Sequence, residues 1–169
     1  MNSLQPSGID WIDRFSERVG RAVSWLTLAM VIVTFAIAVL RYAFDRGWTS
    51  MQESVTWMHA SVFMLGAAYA LRTGDHVRVD IFYKKLSPRG QALVDILGTL
   101  LLLLPLCAYL LWESWPYVSQ SWAVREGSRE ASGLGGLFLL KTVILITALM
   151  LTLQGISEIV RAMRRLRQA

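Results

Sequence analysis

Four stretches with no Asp, Glu, Lys or Arg dominate this chain: Ala22–Leu40, Ser54–Leu71, Ile96–Trp112 and Thr142–Ser157. A hydrocarbon layer ~30 Å thick takes about 20 helical residues to cross, and about 17 suffice with tilt or snorkelling ends. The first three stretches meet that length. The fourth meets it if its helix begins near Leu137 and Lys141, about one turn inside, reaches its ammonium to the headgroups. A bilayer offers no water to backbone N–H and C=O groups, so such stretches become helices. The expected fold is therefore an all-α membrane protein with four transmembrane helices, at about 22–40, 54–71, 94–113 and 137–158, in a single domain over 1–169. Composition agrees, with 54% apolar and 17% charged residues against about 45–50% and 25% in soluble domains. The lone Cys107 excludes a disulfide scaffold, and the apolar content excludes disorder. A charged segment precedes the first span, so no cleavable signal peptide is expected.

The basic balance (net charge +5, pI 9.8) follows from topology rather than nucleic acid. Arg14, Arg18, Arg21, then Arg72, Arg78, Lys84, Lys85, Arg89, then Arg161, Arg164, Arg165 and Arg167 flank one side of the spans. Only Arg41, Arg46, Arg125 and Arg129 flank the other. Positive residues favour the cytoplasm, so both termini are expected inside. Trp48, Trp57, Trp112, Trp115, Tyr117 and Trp122 then form an aromatic belt at the outer interface.

Before the first span, residues 9–21 place Trp11, Ile12, Phe15 and Val19 at helical spacing among charged residues. That pattern predicts an amphipathic helix along the interface, bending at Gly20 into the first span, its apolar stripe covered by lipid or by a partner. Gly74 suits a left-handed cap after Arg72, and Ser87-Pro88 suits a helix start. Pro105 predicts a kink in the third span.

Several chemistries lack their residues. Haem ligation needs facing intramembrane histidines, and only His59 lies in a span. His59 reads as a neutral imidazole with a backbone or Ser/Thr partner. Thiol exchange needs a second cysteine, and a proton-coupled exporter needs a carboxylate within a span. Nor is there a phosphate-binding glycine loop. No catalysis and no cofactor or metal in this chain are expected.

The stretch Glu53–Asp80, ESVTWMHASVFMLGAAYALRTGDHVRVD, is the most informative. With Arg41-Tyr42 before it, it carries Glu53, Trp57, Gly66-Ala67-Ala68, Arg72 and Gly74-x-His76-Val77-x-Val79-Asp80. These motifs, the four spans and the length resemble the small membrane subunit of tripartite ATP-independent periplasmic (TRAP) transporters. The resemblance implies a bacterial inner-membrane protein that binds a large elevator-type subunit, which imports an organic acid with sodium coupling. A periplasmic binding protein delivers that substrate, and sodium and substrate sites lie on the other components. The segment from Glu130 to Lys141 resembles one branch of the family and leans towards a 2-oxo acid or similar carboxylate.

Within that reading Gly66, Ala67 and Ala68 offer a smooth patch to another helix, inside the bundle or from the large subunit. Arg72, His76 and Asp80 pair with one another or with the large subunit. Glu53 favours the positive start of the second span, with Trp57 one turn on as an anchor. Lys141 either snorkels or pairs with another subunit. Arg125, Glu126, Arg129 and Glu130 form a mixed-charge outer segment, a docking surface for the binding protein or a solvated loop. Two other classes remain open: an independent oligomeric transporter or channel, and a membrane anchor for another complex.

Overall fold

The computed structural model describes residues 10–74, 83 and 85–168. The described residues form four long helices: α1 (Asp10–Phe44), α2 (Thr49–Thr73), α3 (Pro88–Ala123) and α4 (Leu137–Gln168). All four are long and apolar enough to cross a membrane. α4 is the central one: it packs against each of the other three, and α1 also packs along α2. In its most apolar window 22% of residues are buried, against 6% in each of the others. The remaining surface of each helix faces outward, as lipid exposure allows.

The core is built from small side chains. Ala68, Ala92, Cys107, Ala148 and Ala162 are almost fully buried, with Ser16, Ser121 and Ser157. Small residues let helix backbones approach closely, which supplies van der Waals contact where hydrophobic driving force between helices is absent. Gly20 shows the constraint: a Cβ there would lie 2.6 Å from Cγ of Tyr69 on α2.

The expected interfacial helix at 9–21 is not a separate element. From Asp10 the chain runs as one helix through Gly20 to Phe44, 35 residues and about 52 Å long. Within it, the apolar stripe divides between the outward surface and the bundle. Trp11 and Phe15 are exposed, whereas Ile12, Ser16 and Val23 are buried. The polar residues Asp13 and Ser16 of this segment find hydrogen-bonding partners on α4, while Trp11 and Phe15 are left on the outward surface.

Caps follow the local sequence. Gly74 closes α2 at φ 77°, donating its N–H to Ala70 O. Ser87 caps α3, its hydroxyl accepting from Gly90 N at 3.2 Å, with Pro88 in the first turn. At Pro105 the helix widens instead of breaking: Thr99–Leu103 form a π-helical segment just before it. The wider turn absorbs the missing proline donor, and it rests on Gly155 of α4, where an added Cβ would stand 3.0 Å from Leu103 Cδ2. A second proline, Pro116, lies inside the same helix.

Candidate functional site

The ionisable groups gather at the two ends of the bundle. At the end carrying the termini, Asp13 of α1 meets three donors from α4. Its Oδ1 accepts from Gln154 Nε2 at 3.1 Å and Ser157 Oγ at 2.9 Å, and its Oδ2 accepts from Arg161 Nη1 at 2.8 Å. Ser16, one turn along α1, donates to Gln154 Oε1 at 2.9 Å. Gln154 and Ser157 are fully buried, so these bonds satisfy groups that have no water. Arg161 also holds Glu158 at 2.5 Å, and its Nε is buried without a partner among the described residues.

Two further ties lie at the same end. Glu17 accepts from Arg72 Nη1 at 2.7 Å and also pairs with Arg21, linking α1 to α2. Asp95 accepts from Tyr83 at 2.9 Å and pairs with Arg165 at 3.1 Å, linking α3 to α4. Arg72 therefore has a partner on α1 that the sequence reading did not single out. His76 and Asp80 lie outside the described residues, as do Val77 and Val79.

At the opposite end, the 124–136 segment folds over the helix tips. It turns through left-handed positions at Arg125, Ser132 and Gly136. Glu53, near the start of α2, accepts from the Ser128 hydroxyl and from Leu134 N at 2.6 Å. Gly133 makes room for this contact, since a Cβ there would stand 2.9 Å from Glu53 Oε2. Lys141 pairs with Glu126 and lies 3.9 Å from the centre of the Tyr117 ring. Both partners belong to this chain, so Lys141 is committed internally rather than only snorkelling or meeting another subunit. Glu126 also accepts from Ser121 Oγ at 2.7 Å. The Lys141 hydrogen bond, helped by that of Ser121, holds the Glu126 carboxyl below its ordinary value of 4.5. Trp122 donates to Thr142 Oγ1 at 2.8 Å and meets Phe138 edge-to-face at 4.6 Å.

The remaining candidates scatter. Arg125, Arg129 and Glu130 are exposed, while Glu126 is half-buried in its pair. Trp57 is half-buried. The Gly66-Ala67-Ala68 triplet splits: Ala68 is buried in the bundle, Ala67 is half-buried, and a Cβ on Gly66 would meet nothing within 4 Å. Arg41 lines an open groove with Asp45, Arg46, Trp48 and Gln52. His59 is exposed on α2 with no hydrogen bond to the described residues, contrary to its expected backbone or hydroxyl partner. Among the described residues no group of three or more His, Cys, Asp or Glu could hold a metal ion.

The Asp13 cluster was missed, although it leaves a signal. Gln154, Ser157, Glu158, Arg161 and Arg165 recur on one face of α4, and Asp13, Ser16 and Glu17 on one face of α1. Two polar stripes on helices that otherwise face lipid have reason to meet.

Comparison with known proteins supplies the family. Residues 30–165 match the family described as "Tripartite ATP-independent periplasmic transporters, DctQ component". A curated protein of Haemophilus influenzae (strain ATCC 51907 / DSM 11121 / KW20 / Rd), named for a TRAP transporter small permease, is 34% identical over 87 residues. That match covers 51% of this chain and 53% of the relative, so the chain spans about half the length of the curated relative it matches. No solved structure matches. A family match over most of the chain, together with four helices able to span a bilayer, makes this a multi-pass protein of the bacterial inner membrane. The chain belongs to the DctQ component family of tripartite ATP-independent periplasmic transporters.

Proposed function

We propose that this chain is a fixed, non-transporting subunit that binds a large membrane subunit, stabilises it, and enlarges the frame against which its substrate-carrying part moves. The large subunit imports an organic acid, with a lean towards 2-oxo acids, coupled to sodium; sodium and substrate sites lie there. Arg125, Arg129 and Glu130, exposed on the 124–136 segment, help dock a periplasmic binding protein, with both termini cytoplasmic. Glu126 leaves that docking set because Lys141 occupies it.

The observation that carries this reading is how the charges are used. Asp13–Arg161, Glu17–Arg72, Asp95–Arg165 and Glu126–Lys141 each tie one element of the bundle to another. Ionisable groups within a span commonly mark a substrate or proton path. These carboxylates instead join helices at the bundle ends, which suits a part that stays still. Tagged chain, co-expressed with the adjoining transporter genes and extracted in detergent, is expected to recover a large polytopic partner in one-to-one ratio by mass spectrometry. A stable homo-oligomer with no partner would overturn the reading and favour an independent transporter.

A further inference from the structure

The arginines divide by how they are used. At the end carrying the termini, Arg21, Arg72, Arg161 and Arg165 each hold a carboxylate. At the opposite end Arg41 and Arg46 hold none: neither side chain has an ion pair or hydrogen bond to a described residue. The backbone nonetheless brings them together. Asp45 takes the left-handed conformation at φ 50°, and the chain turns back so that Arg46 N donates to Leu40 O at 2.9 Å. Arg46 is thereby held against the last turn of α1, and both arginines line one open groove of about 280 Å³ with Thr49 and Gln52 of α2.

The level of this groove in the bilayer follows from both helices. The charge-free windows end at Leu40 and begin again at Ser54, so Arg41 lies one residue and Gln52 two residues beyond the hydrocarbon. At 1.5 Å per residue that is about 3 Å or less, inside a headgroup layer about 5–7 Å deep on each side. Trp48, exposed in the groove wall, is a side chain which that layer favours. Ile37 lines the groove one turn below Arg41, inside the hydrocarbon. The lining carries two guanidinium groups against one carboxylate, Asp45, which pairs with neither. One positive charge is left over.

We infer that this groove holds an anionic phospholipid, its phosphodiester between Arg41 and Arg46 and the start of an acyl chain against Ile37. Guanidinium groups present paired N–H donors that suit phosphate oxygens. A headgroup with one net negative charge cancels the charge that Asp45 leaves, which a zwitterionic headgroup does not. A soluble anion has nothing to place on Ile37. A partner's carboxylate would meet the arginines, but it is not joined to an apolar chain at this spacing. Bound there, the lipid bridges α1 and α2 at this end, as Glu17 and Arg72 do at the other. The inference needs only the membrane location and not the subunit reading above.

The test is native mass spectrometry of the full chain, purified in detergent and titrated with dioleoylphosphatidylglycerol or dioleoylphosphatidylethanolamine. One phosphatidylglycerol per chain is expected to survive activation that strips phosphatidylethanolamine. Arg41→Ala combined with Arg46→Ala should weaken its retention about tenfold, the scale of one lost charge-assisted pair. Arg125→Ala combined with Arg129→Ala, on the exposed 124–136 segment, should leave retention unchanged. Phosphatidylglycerol should also raise the thermal unfolding midpoint of the wild type, and not that of the Arg41 and Arg46 variant. If that variant does not fold, a phosphatidylglycerol carrying a diazirine decides on the wild type: adducts are expected within residues 37–52, and adducts only elsewhere would overturn the site. Equal retention of the two lipids, or equal loss in both double variants, would mean ordinary surrounding lipid and would also overturn it. Displacement by inorganic phosphate would assign the groove to a soluble anion instead. Unchanged lipid retention in the Arg41 and Arg46 variant, with loss of a co-purified large subunit, would assign it to a protein partner.

Discussion

Asp13 is the residue whose neighbourhood most changes how its segment reads. It accepts hydrogen bonds from Gln154, Ser157 and Arg161, two of which are fully buried. Removing a shared acceptor leaves donors without water or partner, at about 1–3 kcal/mol for each stranded group. Asp13→Ala is therefore expected to destabilise the purified chain by about 2 kcal/mol, measured as a lower thermal unfolding midpoint in detergent. Asp13→Asn, which keeps one acceptor, should lose less; equal stability of wild type and Asp13→Ala would show that the cluster contributes nothing. The partners lie 141 to 148 residues away, so no local pattern could name them. What was legible was the amphipathic pattern of the segment; that its polar residues would meet α4 was not. An apolar stripe beside charged residues faces inward in water, whereas beside lipid the polar stripe turns in. Lys141 was misjudged for a related reason. Its depth in the fourth span is readable from sequence, but its Glu126 and Tyr117 partners depend on how the preceding loop folds.

At the scale of elements, all four helices were visible as uncharged windows, because the bilayer imposes length and apolarity on every span. Their far ends were less visible: α1 runs on to Phe44 and α3 to Ala123, past the expected spans. The response to Pro105 was not readable either: the π segment packs closely on Gly155 of α4, a neighbour distant in sequence. The 124–136 loop could be recognised as polar, but not as fastened. Its Glu126 carboxyl sits below its ordinary value of 4.5, chiefly through the Lys141 hydrogen bond. A carboxylate with a lowered folded-state pKa adds stability that is present above the unfolded value and lost as pH falls through the folded one. Hydrogen exchange of the loop is expected to be unchanged between pH 8 and about 6, after correction for intrinsic rates, and to lose protection below about 4.5. Glu126→Gln should remove that acid dependence at the start of the loop. Glu53, also held below its ordinary value by Ser128 and Leu134, keeps its own share at the middle. An equally acid-sensitive Glu126→Gln loop would assign the effect to another group.

For the whole molecule, the charge distribution predicts orientation. Twelve of the 17 Lys and Arg flank the side expected to hold both termini, and positive residues favour the cytoplasm, so that side is predicted to face it. A cysteine at Ser132, exposed at the loop end, is expected to react with a membrane-impermeant maleimide from the periplasmic side. One at Arg89 should react only after the inner membrane is permeabilised. Native Cys107 is fully buried and should stay silent in both. The reverse labelling pattern would invert the topology and place the docking surface on the wrong side. The fastening of the 124–136 segment also has a mechanical consequence. Glu53 holds its middle to the head of α2, and Glu126 with Lys141 holds its start to the head of α4. A push at the exposed Arg129–Glu130 tip is therefore not absorbed by slack chain: it passes into two helices at once, and the segment behaves as a strut rather than a tether.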